Sequence, residues 1–176
     1  MIKCLKNSAR HEMNIEIERK YIIKLPDTSR LTEECGYTES DIVQIYLSSE
    51  PGVTHRIRSR RYGDKTVYTE TKKTRIDKMS AYEDEREISE AEFSLLSKGI
   101  DAATRPIIKK RVTFDYLGNT VEIDIYPDWH RHAILETELL SREACAALPE
   151  YIEIVREVTG DFRYSNAVMA RSFPEE

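Results

Sequence analysis

Charged residues recur at every second position along much of this chain, and that spacing points to its chemistry. Glu16, Glu18 and Lys20 form one such set, and Arg56, Arg58 and Arg60 a second. Glu70 with Lys72, then Glu83, Glu85 and Glu87, continue the series. Lys109 with Arg111, Glu122 with Asp124, and Glu136 with Glu138 complete it. Residues two apart on a β-strand share a face. Lys and Arg donate to phosphate oxygens, Arg with two donors at once. Clustered carboxylates hold hard cations such as Mg2+ or Mn2+ through oxygen. A basic wall facing an acidic wall across a metal would suit a di- or triphosphate. The metal would withdraw charge as a P–O bond breaks.

The elements that must position these residues are mostly strands. Period-2 alternation predicts them at 14–24, 42–48, 54–61, 65–73, 81–88, 107–116, 120–126 and 133–140. Glu50-Pro51-Gly52, Tyr62-Gly63-Asp64 and Leu117-Gly118-Asn119 read as hairpin turns. Helices are expected from Asp27 or Ser29 to Gly36, and from a capping box at Ser89 and Glu92 to Gly99. A third is expected from Ser141 through Ala144, Ala147 and Leu148. A fourth would open at Pro149, with Ile152, Val155 and Val158 on one face and Gly160 as its stop. The fold class is therefore α+β, mainly antiparallel β and barrel-like.

The face opposite the charges is mostly apolar or Thr: Ile15, Ile17, Tyr21 and Ile23; Val67, Thr69 and Thr71; Val121, Ile123 and Ile125; Leu135 and Leu139. A single strand of this kind is most simply half-buried, with its charges in water. Seven in series, segregated by sign, argue for a closed antiparallel barrel with charge inside. Buried charge on that scale needs pairing, hydration or bound ions. A polyanion with divalent metals would meet that need.

Composition narrows the remaining classes. The chain has 176 residues and a net charge of −5, enough for one domain with a real core. The acidity argues against a generic nucleic-acid coat. No apolar run approaches the roughly 18 residues of a spanning helix. Residues 1–12 read as a flexible or mis-called extension ahead of Met13, with 13–176 a single domain. They show no signal-peptide block, and a cytoplasmic protein is expected. Cys4, Cys35 and Cys145 are an odd, widely spaced set that reads as reduced thiols. His130 and His132 lie beside Pro127-Asp128-Trp129 without a clear third ligand, and read as surface loop. Neither GxxxxGK nor GxGxxG is present, which excludes a P-loop.

Glu16-Ile17-Glu18-Arg19-Lys20 is an ExExK signature on a first strand. In order after it come Gln44-Ile45-Tyr46-Leu47, Arg56-Ile57-Arg58, Thr69-Glu70-Thr71-Lys72 and Glu85-Arg86-Glu87. Lys109-Lys110-Arg111, Glu122-Ile123-Asp124, Glu136-Thr137-Glu138 and Arg163-Tyr164-Ser165-Asn166 follow. This ordered set resembles the CYTH superfamily, the triphosphate tunnel metalloenzymes, and above all its short bacterial inorganic triphosphatase-like members. The resemblance implies an eight-stranded closed tunnel barrel with helices packed outside. It implies Mg2+ or Mn2+ on Glu16, Glu18, Glu136 and Glu138, with Glu85 and Glu87 at a second, catalytic metal and its water. Lys20, Arg56, Arg58, Lys72, Lys109 and Arg111 would bind the triphosphate, and Arg163 would close the tunnel. Asp124 would be a metal ligand or would orient a basic neighbour. Ser165 departs from the basic residue that family members often carry nearby.

The resemblance also implies a base for hydrolysis. Tyr46, paired with Lys72, is one candidate, since a nearby ammonium lowers a phenol's pKa. A metal-bound hydroxide steadied by Glu85 is the other. The expected activity is hydrolysis of a linear triphosphate, foremost inorganic tripolyphosphate to pyrophosphate and orthophosphate. A class IV adenylate cyclase, or hydrolysis of an organic triphosphate such as thiamine triphosphate, is the alternative. Here His11-Glu12-Met13-Asn14 lacks the His-Phe pair frequent in cyclases. A polyphosphate- or nucleotide-binding module without catalysis would not need two acidic sets. The expected partner is a small-molecule triphosphate, without nucleic acid or membrane, and a homodimer stays open.

Overall fold

A computed structural model describes residues 14–34, 36–144 and 146–175 of the chain. The proposed Met13 start, the extension 1–12, His11 and all three cysteines lie outside them. Nine strands form: β1 (Asn14–Lys24), β2 (Thr38–Leu47), β3 (Val53–Tyr62), β4 (Lys65–Arg75), β5 (Ser80–Ile88), β6 (Ile107–Tyr116), β7 (Asn119–Ile125), β8 (His132–Glu138) and β9 (Ile154–Glu157). Three helices accompany them: α1 (Thr28–Glu34), α2 (Glu90–Leu96) and α3 (Asn166–Met169).

Eight strands close in the antiparallel order β1-β5-β4-β3-β2-β6-β7-β8, and β8 returns to β1. Closure turns the two faces of each strand into an inside and an outside. The outer face carries the apolar residues. Tyr21, Ile23, Val112, Phe114, Val121, Ile123 and Leu135 pack with Leu31 of α1 and with Ile152. On the opposite wall Ile45, Leu47, Ile57 and Ile88 pack with Phe93 and Leu96 of α2. Ser89 opens α2 with the expected capping box: its hydroxyl accepts from Glu92 N at 3.2 Å, and its own N–H donates to Glu92 Oε2 at 2.8 Å.

The inner face turns apolar at one end. Below Lys20, Gln44, Lys109 and Glu136 come Ile22, Tyr46, Ile107, Tyr126 and Ile134, and they pack on Tyr164, Met169 and Ala170. The C-terminal segment therefore plugs the interior at that end. Trp129 belongs to the same cluster and is buried there as packing.

Two expected helices do not form. Residues 141–144 make turns, and the segment after Pro149 becomes β9. The reason lies in β1. Its pairing with β5 ends at Ile17, which leaves the edge from Lys20 onward without backbone partners. β9 supplies them, with Val158 N donating to Lys20 O at 2.8 Å and Lys24 N to Glu153 O at 2.9 Å. Satisfying buried backbone groups outweighs local helical periodicity. His132 opens β8 and His130 sits in the bend before it.

The turn after β9 packs tightly on the β4–β5 loop. Gly160 has φ +75°, and a Cβ there would stand 2.8 Å from Lys78 Cβ and 3.3 Å from Lys78 O. Gly160→Ala should cost about 2–3 kcal/mol, from left-handed backbone strain and the clash together. Urea unfolding measures this; an unchanged midpoint would mean that the two loops separate freely.

Candidate active site

The barrel encloses a cavity of about 450 Å3. Among the described residues, seven cations line it: Lys20, Arg56, Arg58, Arg60, Lys73, Arg75 and Arg111. Seven carboxylates face them: Glu16, Glu18, Glu83, Glu85, Glu122, Glu136 and Glu138. Gln44, Tyr46, Thr54 and the C-terminal residues Phe162 and Ser165–Val168 complete the wall. Six of the seven charged strand faces turn inward, that of β4 being the exception, and the lining made by the described residues is formally neutral.

The charges are distributed unequally. Arg111 is heavily engaged. Its Nε donates to Asp124 Oδ1 at 2.6 Å and its Nη2 to Asp124 Oδ2 at 2.7 Å, and Glu122 and Glu136 accept from it as well. Lys109 adds a 2.5 Å pair to Asp124, and Lys20 a 2.6 Å pair to Glu136. Burial opposes ionisation of Glu136, but Lys20, Arg111 and Lys109 together hold it well below the usual carboxylate range. Burial, helped by Arg111, brings Lys109 down to about 8 despite Asp124.

The β3–β5 wall is looser. Lys73 reaches Glu16 at 2.5 Å and Glu83 at 2.8 Å. Arg58 Nη2 donates to both oxygens of Glu85 at 3.2 and 3.1 Å, and Thr71 donates to Glu85 at 2.7 Å. Arg56 stands 3.7 Å from Glu83 and 4.0 Å from Glu85. The Nε atoms of Arg56 and Arg58 are buried without a hydrogen-bond partner. Guanidinium donors in that state suit an incoming phosphate.

The structure relocates several residues expected in the site. Lys72 points out of the barrel, on the outer face of β4 with Glu70; Glu70 there pairs with Arg86 at 2.5 Å and His55 at 2.8 Å. The inward residues of β4 are Thr71, Lys73 and Arg75, because a one-residue shift of register exchanges the two faces. Glu87 lies opposite Thr69 on the inner side of β5, but is exposed beyond the cavity. Lys109 and Asp124 do face inward, but they are buried beneath the cavity lining, at 2% and 1% exposure, and pair with each other. Arg163 is exposed and bound by both oxygens of Asp161. Among the expected residues, Glu16, Glu18, Lys20, Tyr46, Arg56, Arg58, Glu85, Arg111, Glu136 and Glu138 line the cavity together. Lys73, Arg75, Arg60, Glu83, Glu122 and Gln44 line it as well and were not foreseen as site residues. For Arg60, Glu83, Glu122 and Gln44 the signal was present: each shares strand parity with a residue that was foreseen.

The Tyr46–Lys72 pair does not form. Tyr46 instead receives a hydrogen bond from Gln44 Nε2. Burial pushes its phenol up to about 12, against the pull of Arg56, so it holds its proton.

Among the described residues no three His, Cys, Asp or Glu side chains form a ready-made metal site. The donor set nevertheless fits divalent cations. Glu18 sits directly opposite Glu138 on the β1–β8 ladder. Burial, then Glu122 and Glu18, raise the Glu138 carboxyl. Burial raises Glu16 to about 7, with Glu83 and Glu18 adding to it and Lys73 opposing. Like-charged carboxylates forced together are relieved by a hard cation. A neutral tunnel also cannot compensate a polyanion without bringing in positive charge.

No family model and no curated protein matches the chain. Solved structures do. A structure described as the inorganic triphosphatase NE1496 is 26% identical over 91% of this chain and 97% of that one, with TM-score 0.55. A conserved hypothetical protein, Pfu-838710-001 from Pyrococcus furiosus, is 24% identical over 73% and 80%, with TM-score 0.58. The PH1819 protein from Pyrococcus horikoshii OT3 is 22% identical over 73% and 80%, with TM-score 0.57. The last two show likeness of fold; the first spans both chains almost completely.

Proposed function

We propose that this chain, a member of the CYTH superfamily of triphosphate tunnel metalloenzymes, hydrolyses inorganic tripolyphosphate to pyrophosphate and orthophosphate with Mg2+ or Mn2+. The observation that carries the reading is the closed barrel with seven cations facing seven carboxylates around one cavity. Such a lining suits a phosphate chain accompanied by metal ions, and little else.

The roles follow from the pairings. Arg56 and Arg58 have buried donors to spare and would take phosphate oxygens. Lys73 and Lys20 each bridge two carboxylates and would hold the chain between the acidic sets. Arg111, paired with Asp124, Glu122 and Glu136, would order those carboxylates more than bind substrate. Glu16, Glu18 and Glu138 would hold divalent cations, which when bound spread the charge of the phosphate oxygens. Glu85, held only by Arg58, Thr71 and distant Arg56, is the best placed proton acceptor for an attacking water. A nucleotide would need space for a base and ribose, but the inner end is filled by Tyr46, Tyr126, Met169 and their neighbours. That favours an inorganic chain over ATP. The described residues include no helix long and apolar enough to cross a membrane. A small-molecule substrate and a cytoplasmic setting belong to the same proposal.

The pH dependence of metal stabilisation tests the cation assignment. The folded-state pKa of Glu16, about 7, stands above its ordinary 4.5. The cation-free folded state therefore binds the extra proton between those values. Its stabilising effect is complete below 4.5 and is lost as pH rises through 7. A divalent cation replaces that proton. The rise in Tm on adding Mg2+ should thus be larger at pH 8 than at pH 5.5, and a chelator should abolish it. Equal shifts at both pH values would remove Glu16 from the metal site. Hydrolysis of tripolyphosphate should stop with the same chelator; turnover that persists would overturn metal dependence.

A further inference from the structure

Gln44 and Arg58 face each other directly across the β2–β3 ladder. Each carries a buried polar atom that has no hydrogen-bond partner: Gln44 Oε1, an acceptor, and Arg58 Nε, a donor. Gln44 is 1% exposed and its Nε2 is committed to the Tyr46 hydroxyl, so its oxygen is the free half of the amide. Arg58 meanwhile spends Nη2 on Glu85. Directly opposite residues have Cβ atoms about 4.5–5.5 Å apart, within reach of both side chains. Two complementary orphans at that spacing are costly to leave unmade.

We infer that Gln44 is a positioning residue for Arg58: when triphosphate enters, Arg58 exchanges Glu85 for a phosphate oxygen and its Nε–H turns to Gln44 Oε1. The inference rests on the proposed triphosphate reading and deepens it. Its consequence is a coupling between binding and chemistry. In the free tunnel Arg58 holds Glu85 by both oxygens. With phosphate on Arg58, Glu85 keeps only the Thr71 hydroxyl close to it and is released to accept a proton. Tyr46 takes part by fixing the amide, since Gln44 Nε2 on its hydroxyl leaves Oε1 for the arginine. An amide suits this shelf better than a carboxylate would. It accepts the hydrogen bond without neutralising the charge that the phosphate needs.

The test is a double-mutant cycle on steady-state tripolyphosphate hydrolysis. Gln44→Met conserves volume and removes the acceptor. It should raise KM about tenfold, the expected cost of a lost charge-assisted hydrogen bond, and leave kcat within about threefold. Arg58→Lys keeps a positive charge but has no Nε. In that background Gln44→Met should change KM by less than about twofold. Gln44→Asn keeps the amide but shortens it, and should reproduce the KM change if the methionine variant folds poorly. Full additivity in the cycle, or a fall in kcat with KM unchanged, would overturn the inference. If the wild-type protein neither binds nor hydrolyses tripolyphosphate, the hydrolase reading fails instead.

Discussion

Lys73→Met should lower tripolyphosphate turnover about 100-fold or more, whereas Lys72→Met should leave it within about twofold. Two adjacent lysines offer a sharp contrast because β4 turns one in and the other out. Lys73 is drawn to Glu16 and Glu83 across the cavity, and these carboxylates with Glu18 raise its pKa despite burial. It is therefore charged at any working pH and stands where a phosphate chain would pass. Its removal would leave Glu16 and Glu83 uncompensated against an incoming polyanion. Lys72 is exposed on the opposite face. Steady-state kinetics of the two variants, checked by thermal melts, decide the matter. Equal loss from both would mean that the register of β4 differs in the working enzyme.

The second large effect separates two glutamates on one strand. Glu138→Gln should abolish detectable turnover and yet raise the Tm of the metal-free protein at pH 8. Glu138 is exposed at the tunnel wall and faces Glu18. Its raised carboxyl pKa means that the metal-free fold disfavours its charged form more than the unfolded chain does. The stability this gives is present at low pH and is lost as pH rises through the folded pKa. Glutamine mimics the protonated form permanently, so it relieves repulsion while removing a proposed cation ligand. Glu136→Gln should act oppositely on the fold. Glu136 pairs with Lys20 at 2.6 Å and Arg111 at 3.1 Å, and its pKa is held well below normal. Losing that charge breaks a buried network, at a cost of about 3 kcal/mol. Differential scanning calorimetry with a chelator should therefore show the two Tm values moving in opposite directions. Parallel shifts would contradict the assignment of Glu138 to cations and Glu136 to the internal network.

Much of this architecture was legible because a barrel is written in parity. Glu16 and Glu18, or Arg56 and Arg58, stand two apart with an isoleucine between them, and closure sends them inward. Parity becomes ambiguous where both faces of a strand are polar. On β4 the run Thr69-Glu70-Thr71-Lys72-Lys73 carries Thr on one face and charge on the other, and the family-like motif favoured Lys72. The structure resolves it by placing Thr71, fully buried, against Glu85. The C-terminal region was less legible for another reason. Ile152, Val155 and Val158 have helical spacing, but the unpaired edge of β1 draws residues 154–157 into a strand. That demand is tertiary and leaves no local mark. Nor does sequence alone separate Arg111, consumed by Asp124, from Arg58, which has donors to spare. Both are arginines on inward faces, and their roles diverge through their neighbours across the barrel.

A metal-dependent cut of a linear triphosphate inside the charged tunnel leaves a distinctive set of products. The protein is incubated with tripolyphosphate and, separately, with ATP, each with Mg2+ or Mn2+, and products are resolved by anion exchange. Orthophosphate and pyrophosphate are expected in equal amounts from tripolyphosphate, with ATP consumed far more slowly. Cyclic AMP and pyrophosphate from ATP, with tripolyphosphate untouched, would contradict the hydrolase reading and make the protein a cyclase.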